Sequence, residues 1–257
     1  MKYIVLSVTF LFIIFSTALP ANQTLILKDN FSRAQKGDYI VTAQGKNNTV
    51  LHVVDKTENT LTIEEISLPA SKASQKGFSW RKWVEDKAPG HSAWILYTVN
   101  LSNASMTDVY AWTRNGWRQA VLPNSFLPTL LNLKFTMIPH GERKKLGFTP
   151  SFSGSRESRS LWQPQMIVDG QIIKGVPFDA WKAVWPRDNS DLSGKSIEVY
   201  LPAESTKFLS YFPYWLQISG MIGKAKVRII DSGAKLSSPV PSPIKRLERN
   251  ASVQNQR

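Results

Sequence analysis

Short apolar segments separated by turn residues constrain the fold of this chain more than any other feature. Residues 38–43 (DYIVTA), 49–55 (TVLHVVD) and 60–68 (TLTIEEISL) follow one another closely and are rich in Val, Ile, Leu and Thr. Gly, Asn, Lys and Asp lie between them, which is typical of strands joined by short turns. The pattern predicts an antiparallel β-meander.

The strand pattern continues through most of the chain. Further strands are predicted at residues 92–101, 108–113, 196–202 and 225–231. Residues 166–173 (MIVDGQII) predict a hairpin, because Asp169-Gly170 suits the positive φ angles of a two-residue type I′ turn. The predicted fold is therefore mainly β with a few short helices (α+β), built on an antiparallel sheet that forms a curved half-barrel or a sandwich.

Two tryptophan-bearing segments predict short helices. Residues 78–86 (FSWRKWVED) and 178–185 (FDAWKAVW) both place aromatic residues at helical spacing. Each is followed by a turn and a predicted strand, so the two are either a duplicated unit or two independent solutions to the same packing problem. Residues 126–135 fit a helix or a strand, because Pro128 lies inside the apolar run.

The first 21 residues predict a cleavable secretory signal. Lys2 is followed by an apolar run over residues 3–15 and then by small residues, with cleavage expected after Ala18 or Ala21. A retained membrane anchor is the alternative, since the run is near the lower length limit for a spanning helix. The chain contains no cysteine, which favours a periplasmic or secreted protein of a bacterial envelope over a disulfide-stabilised eukaryotic one.

Composition and charge predict how the chain is divided into segments and which kind of partner it binds. The formal net charge of +13 favours anionic surfaces, and export argues against a nucleic-acid partner. Residues 149–160 are rich in Ser and Gly and predict a loop, and the segment after residue 236 is rich in Pro and cations. The predicted organisation is a signal peptide (1–21), a β-rich half (22–148), a loop (149–160), a second β-rich half packed on the first (161–236) and a disordered basic tail (237–257).

No motif in the chain predicts a reaction. The three histidines, His52, His91 and His140, lack metal-ligand spacing, and His52 fits a structural residue inside a strand. No Gly-X-Ser-X-Gly elbow occurs, and the Ser-X-X-Lys matches at residues 79–82 and 242–245 lack the companion elements of penicillin-binding enzymes. The sequence therefore predicts no catalytic residue, no metal site and no cofactor, and it favours a protein without enzymatic activity.

The tryptophan content is high. Nine tryptophans occur, mostly within apolar strands or helix faces, and a β-rich core does not need all of them. Some of these rings are expected to line a cavity or a surface. Trp215 is one of them, because strand alternation after Pro213 places it opposite Leu216 and beside polar Gln217.

The strand that follows has a cationic face. Lys224, Lys226 and Arg228 alternate with Ala225, Val227 and Ile229. One side of this strand is therefore predicted to face the core, and the other presents positive charge either to solvent or to an anionic ligand.

In overall pattern the chain resembles the lipoprotein-sorting carriers of the bacterial periplasm, a half-barrel with a helical lid. The resemblance rests on the signal, the absence of cysteine, the strands DYIVTA, TVLHVVD and TLTIEEISL, the short tryptophan-bearing helices and the basic strands, over residues 25–235. It implies a hydrophobic concavity for apolar chains. The second tryptophan-rich half and the basic tail depart from that family.

These observations predict an exported envelope protein that binds or carries an amphiphilic or anionic ligand in an aromatic-lined concavity. Its partner would be a lipid, a lipoprotein or an anionic envelope polymer, with contact to a membrane surface as a further possibility. A glycan- or peptidoglycan-binding module with Trp platforms is the alternative, and a hydrolase of envelope material is the second alternative. The predicted ligand-binding residues are Trp80, Trp83, Trp112, Trp181, Trp185, Trp215, Lys224, Lys226 and Arg228.

Overall fold

The computed structural model of the chain describes residues 23–121, 126–147, 159–203, 208–209, 211–220 and 223–244. The predicted signal at 1–21, most of the predicted loop at 149–160 and the last part of the predicted tail, 245–257, lie outside these ranges.

Strands make up most of the secondary structure. Within the described ranges they are β1 Thr24–Ile26, β2 Tyr39–Gln44, β3 Asn47–Lys56, β4 Thr60–Pro69, β5 Ala93–Asn100, β6 Met106–Thr113, β7 Gly116–Gln119, β8 Lys134–Met137, β9 Met166–Val168, β10 Gln171–Ile173, β11 Phe178–Val184, β12 Ser196–Pro202, β13 Trp215–Gly220 and β14 Gly223–Gly233. The helices are α1 Leu27–Phe31, α2 Ala70–Ala73, α3 Trp80–Glu85 and α4 Phe126–Asn132, with a 3₁₀ turn at His140–Glu142.

The prediction of a mainly β, antiparallel fold is confirmed. In the part of the chain that the structure describes, twelve strands form one open sheet in the order β1-β8-β11-β12-β13-β14-β2-β3-β4-β5-β6-β7. Every neighbouring pair is antiparallel, and β9 and β10 form a separate hairpin. Both predicted halves contribute strands to the same sheet, which they share at the β8–β11 and β14–β2 pairs.

The central strands are covered on both faces. On β2, Ile40 packs into a large apolar cluster with α1 and α4, whereas Tyr39 and Val41 pack into a second cluster with α3. Alternate side chains of a strand point to opposite faces of a sheet, so apolar residues at consecutive positions imply burial on both sides. The consecutive apolar residues of β2 and β3 follow from this two-sided cover.

One predicted helix is correct and the other is wrong. Residues 80–85 form α3, and the hydroxyl of Ser79 accepts a hydrogen bond from the Lys82 amide, 3.4 Å away, as its cap. Residues 178–184 form β11 instead of a helix, hydrogen-bonded to β12 on one side and β8 on the other. Pairing on both sides overrides the weak helical spacing of a short aromatic run. The two segments are therefore not copies of one helix-turn-strand unit.

The described residues after β14 pack against the sheet. Residues 237–257 were predicted as a disordered tail; of these, Val240 is buried against the α3 cluster, as is Leu236 just before them. The indole nitrogen of Trp117 donates to the Pro241 carbonyl at 3.0 Å. Prolines prevent this segment from joining the sheet, yet its apolar side chains still cover one face.

A buried polar network holds this C-terminal segment on the sheet. His52 bonds the Glu64 carboxyl through Nδ1 at 3.0 Å and the Leu236 carbonyl through Nε2 at 2.9 Å. Since a carbonyl only accepts, Nε2 carries the hydrogen. The other Glu64 oxygen accepts from the Trp94 indole and from the Ser238 hydroxyl. His52 is thus a structural residue with both ring nitrogens bonded.

We expect His52→Phe to lower the free energy of unfolding by about 3–5 kcal/mol, because it leaves the buried Glu64 carboxyl without its ring partner. The double variant His52→Phe/Glu64→Gln should lose less stability, since a neutral amide then replaces the buried carboxyl that has lost its partner. Urea denaturation of both variants measures the difference. Equal losses in the single and double variants would contradict the network as described.

Glu65 faces the larger apolar cluster between Leu51 of β3 and Ile95 of β5. Burial raises its pKa to about 7, from an ordinary value of 4.5. The folded state therefore holds this proton more tightly than the unfolded chain does. Its contribution to stability is present below pH 4.5 and is lost as the pH rises towards 7.

At pH 8, Glu65→Gln should therefore raise the free energy of unfolding by about 1–3 kcal/mol and so raise the thermal midpoint. At pH 4 the same change should have little effect. Exposed Glu58→Gln is the matched control and should change neither midpoint. Thermal unfolding followed by circular dichroism at both pH values makes the comparison. A Glu65→Gln effect independent of pH would show that the carboxyl is not held neutral.

Candidate functional site

Two adjacent cavities lie beside the β9–β10 hairpin and share Arg81 and Asp169. The first encloses about 580 Å³ and is lined by apolar side chains, with charged groups at its edge. The second encloses about 490 Å³ and is more polar and aromatic, with Tyr39, Phe78 and Trp80 in its wall. Both volumes fall within the ~300–1,000 Å³ of ordinary small-molecule sites. We refer to the two cavities together as the Arg81 groove.

Strand β9 separates the two cavities. Met166 and Val168 line the first cavity, and Ile167 between them lines the second. This follows from the period of two in a strand, because successive side chains point to opposite sides. The rest of the first cavity comes from Ile173, Phe208, Leu209 and the segment Gly233, Ala234 and Lys235.

The predicted Asp-Gly turn places Asp169 where the cavities meet. Asp169 and Gly170 have φ angles of 47° and 77°, as a type I′ turn requires. The Gly170 amide donates to the Asp231 carboxylate at 3.0 Å, which ties the turn to β14. The predicted hairpin is therefore confirmed, and its turn contributes a carboxylate to the groove.

Arg81 is held at the junction by three groups. Its Nη2 donates to Asp169 Oδ1 at 2.7 Å and to the Ala234 carbonyl at 2.8 Å, and the guanidinium lies 5.5 Å from the centroid of the Tyr39 ring. The Tyr39 hydroxyl donates to the same Asp169 oxygen at 2.9 Å. The arrangement fixes the boundary between the cavities by charge-assisted hydrogen bonds.

The two carboxyl groups of the groove have opposite pKa shifts. Burial raises the pKa of Asp231, which is 5 % exposed. Burial also acts to raise the pKa of Asp169, but the hydrogen bonds from Arg81 and Tyr39 outweigh it and hold that pKa below its usual value. Asp169 is therefore a fixed anion paired with Arg81, whereas Lys235 has no such carboxylate partner among the described residues.

The predicted ligand-binding tryptophans do not lie together in the structure. Trp80 lines the second cavity, whereas Trp83 is buried with its indole nitrogen bonded to the Pro89 carbonyl. Trp112 packs among Trp94 and Trp117 at the far end of the sheet. These rings belong to one apolar cluster, and of them Trp80 lines the Arg81 groove.

Trp181 and Trp185 belong to the opposite cluster. Trp185 is 2 % exposed, stacks on Phe126 and donates to Asp188 at 3.0 Å. Trp181 is partly buried on β11, in register with Val199 and Met137. Both positions fit a packing role, which is the ordinary role of a large ring in a β-rich core.

Trp215 and the cationic strand come together on one face. Trp215 is paired with Arg228, Gln217 with Lys226 and Ser219 with Lys224, so all six side chains point to the same side of β13 and β14. Lys226, Lys224 and Arg228 are exposed, and the Lys226 ammonium lies 5.5 Å from the Trp215 ring centroid. The predicted alternation in both strands is confirmed.

A second feature on this face is an aromatic cage, formed by Trp162, Tyr200 and Trp215 around the Lys144 ammonium. The ammonium lies 5.6, 5.5 and 5.8 Å from the three ring centroids. It forms a salt bridge with Glu198 at 2.9 Å and lies 3.5 Å from the Gln217 side-chain oxygen. The sequence pattern identified Trp215 but not Lys144, Trp162 or Tyr200.

Residues 49–174 match the family model described as CT021 protein. The fold is similar to the 2.0 Å structure of the hypothetical protein CT021 from Chlamydia trachomatis, with a TM-score of 0.62 and 18 % sequence identity. The likeness covers 85 % of this chain and 97 % of that one. At this sequence identity, the likeness shows a similar fold and nothing about function. No curated protein matches the chain. The resemblance to lipoprotein-sorting carriers stays a prediction.

Two further features bear on the kind of site. No group of three or more His, Cys, Asp or Glu residues that could hold a metal ion occurs within the described ranges. Of the helices described, none has the length and apolar character needed to cross a membrane. The candidate sites described above are the Arg81 groove and the aromatic cage.

Gly233 keeps the groove intact, because a Cβ at this position would lie 2.6 Å from Tyr39 Cε1 and 2.7 Å from Asp169 Oδ1. We expect Gly233→Ala to lower stability by about 1–3 kcal/mol and to separate Tyr39 from Asp169. Gly141→Ala is the control, since nothing lies within 4 Å of its Cβ position. Chemical denaturation and a crystal structure of each variant test this, and an unchanged Tyr39–Asp169 hydrogen bond in Gly233→Ala would contradict it.

Proposed function

We propose that this chain is an exported, non-enzymatic protein of a bacterial envelope that binds an amphiphilic anionic ligand, a lipid or the lipid part of a lipoprotein, in the Arg81 groove. The observation that carries the proposal is an apolar cavity of about 580 Å³ with cationic side chains at its edge. Buried hydrocarbon supplies binding energy, at about 0.8 kcal/mol per methylene. The cations favour a negatively charged head group over a neutral one.

The apolar part of the ligand would lie against Met166, Val168 and Ile173. These side chains come from both strands of one hairpin, and Phe208 and Leu209 lie opposite in the cavity wall. None of the five carries a group that would need a hydrogen bond from the ligand. A hydrocarbon chain is therefore the ligand part that this wall accepts without an unsatisfied polar atom.

The head group would lie near Lys235 and Arg81. Arg81 is already neutralised by Asp169 at 2.7 Å, so its remaining role is to present donors rather than net charge. Lys235 is exposed and has a positive φ of 62°, which directs it out of the regular strand path after β14. The net positive charge at the cavity edge therefore comes from Lys235.

Lauric acid and 1-dodecanol provide a matched pair of probes, because they share a twelve-carbon chain and differ in the charged head. We expect the purified protein, stripped of co-purifying lipid, to bind laurate with saturation in isothermal titration calorimetry. Val168→Trp should weaken both probes more than about tenfold by filling the cavity. Lys235→Gln should weaken laurate about two- to fivefold and leave dodecanol unchanged.

Lys224→Gln is the charge-matched control, since Lys224 is exposed on β14 outside the groove. It should leave the affinity for both probes unchanged. Thermal unfolding establishes that Val168→Trp is folded before its affinity is interpreted. The proposal is wrong if the folded wild-type protein shows no saturable laurate binding, or if folded Val168→Trp binds laurate as the wild type does.

A further inference from the structure

Asp231 brings a carboxyl oxygen without a hydrogen-bond partner to the second cavity of the Arg81 groove. Its Oδ1 accepts from the Gly170 amide at 3.0 Å and from the Ser232 amide at 2.9 Å. No group in the described part of the chain donates to Oδ2. Since Asp231 is buried, an acceptor left without a donor lowers stability, and a ligand or solvent is the usual source of the missing donor.

Oδ2 of Asp231 is open to the cavity. Among the described residues, the buried side-chain polar atoms that lack a hydrogen bond do not include this oxygen, so it keeps accessible surface. The cavity beside it encloses about 490 Å³, within the ~300–1,000 Å³ of ordinary small-molecule sites. Phe78 in the cavity wall is only partly buried and Ser79 is exposed. Oδ2 is thus an acceptor that a small ligand from solvent can reach.

The second cavity is acidic, although the formal net charge of the chain is +13. The charged groups in its wall are the Arg81 guanidinium and the carboxyls of Asp169 and Asp231. Arg81 Nη2 lies 2.7 Å from Asp169 Oδ1, so these two groups neutralise each other. Asp231 has no such ion pair among the described residues, and the wall is therefore negative when Asp231 is ionised. A cationic ligand would be attracted here, and an anionic one would be repelled.

The titration of Asp231 agrees with a missing counter-charge. Burial raises its pKa most, and the neighbouring Asp169 charge acts in the same direction. The amides of Gly170 and Ser232 and the Arg81 charge lower this pKa but do not cancel the rise. A cation beside Oδ2 would favour the ionised carboxylate and offset the effect of burial.

Aromatic side chains form part of the same cavity wall. Phe78 and Trp80 meet edge to face with 4.8 Å between their ring centroids, and Tyr39 is the third ring of the wall. Ring faces attract cations, and rings also pack against apolar groups. The Arg81 guanidinium already lies 5.5 Å from the Tyr39 centroid, so the site uses one ring face for a cation. Phe78 and Trp80 are the other two rings that the wall presents.

We propose that the second cavity of the Arg81 groove binds an organic cation, a primary ammonium attached to an apolar or aromatic group. The ammonium donates to Asp231 Oδ2, and the apolar group packs against Phe78 and Trp80. Asp169 stays paired with Arg81 and closes the site towards the first cavity. This site goes beyond the proposed lipid binding, which uses the first cavity on the other side of β9.

Phenethylamine, 2-phenylethanol and methylamine are suitable probes. The first two share a phenyl ring and a two-carbon linker and differ in the ammonium, whereas methylamine carries the ammonium without the ring. We expect the indole N–H signal of Trp80, assigned with Trp80→Phe, to shift with saturation when phenethylamine hydrochloride is titrated into full-length protein at pH 7 in NMR spectra. 2-Phenylethanol and methylamine should each bind at least about tenfold more weakly, because each lacks one half of the recognition.

Asp231→Asn removes the negative charge and keeps the turn. The asparagine oxygen still accepts from the Gly170 and Ser232 amides, while its amide nitrogen replaces Oδ2 with a donor. This variant should weaken phenethylamine about tenfold or more and change the affinity for 2-phenylethanol less than about twofold. Glu58→Gln is the matched control, because it removes one exposed carboxylate outside the cavity, and it should change neither affinity.

Thermal unfolding establishes that each variant is folded before its affinity is compared. The proposal is overturned if phenethylamine gives no saturable shift, or if 2-phenylethanol or methylamine binds as tightly as phenethylamine. It is also overturned if folded Asp231→Asn binds phenethylamine as the wild type does. Laurate tests the first cavity and phenethylamine the second, so failure of one proposal leaves the other standing.

Discussion

The two-sided burial of the central strands is the constraint on which the rest of this structure depends. One face of β2 to β5 packs on α1 and α4, and the other must be covered by something else. Among the described residues, α3, a six-residue helix, and an extended C-terminal segment supply most of that cover. Because neither is a continuous layer, the cover has gaps, and the Arg81 groove lies at its border.

A buried hydrogen-bond network holds the incomplete cover in place. An extended segment makes few apolar contacts, so Leu236 and Val240 alone would bind it weakly to the sheet. Glu64 compensates by accepting from Trp94 and Ser238 while pairing with His52, and His52 in turn bonds the segment's backbone. Such a network is costly to leave half satisfied, which makes docking of the segment all-or-none. The wall of the first cavity, Gly233 to Lys235, precedes this docked segment directly.

Much of the fold could be predicted from local pattern, and the site could not. Strand alternation correctly predicted that Trp215 and Leu216 point to opposite faces of the sheet and that Lys226 shares the face of Trp215. This worked because β13 and β14 are neighbours in sequence and pair directly with each other. In the Arg81 groove, Asp169 bonds Arg81, which is 88 positions away in the sequence, and Tyr39, which is 130 positions away. No periodicity in the sequence predicts such contacts. The Asp-Gly turn marked the position of Asp169 but not its partners. The prediction of a helix at residues 178–185 was wrong because periodicity alone does not distinguish a helix from a strand in a short apolar run.

The groove and the cage are connected through the sheet without being one site. Arg228 pairs with both Trp215 and Ala43, and Ala43 shares its face with Tyr39 four residues earlier on β2. At roughly 3.4 Å per residue, about 14 Å of strand separate the two positions along β2 alone. Side chains this far apart, with no shared partner, contribute to free energy almost independently. The apolar pocket edged by Lys235 and the aromatic cage around Lys144 are therefore two separate features of one sheet, joined by its central strands.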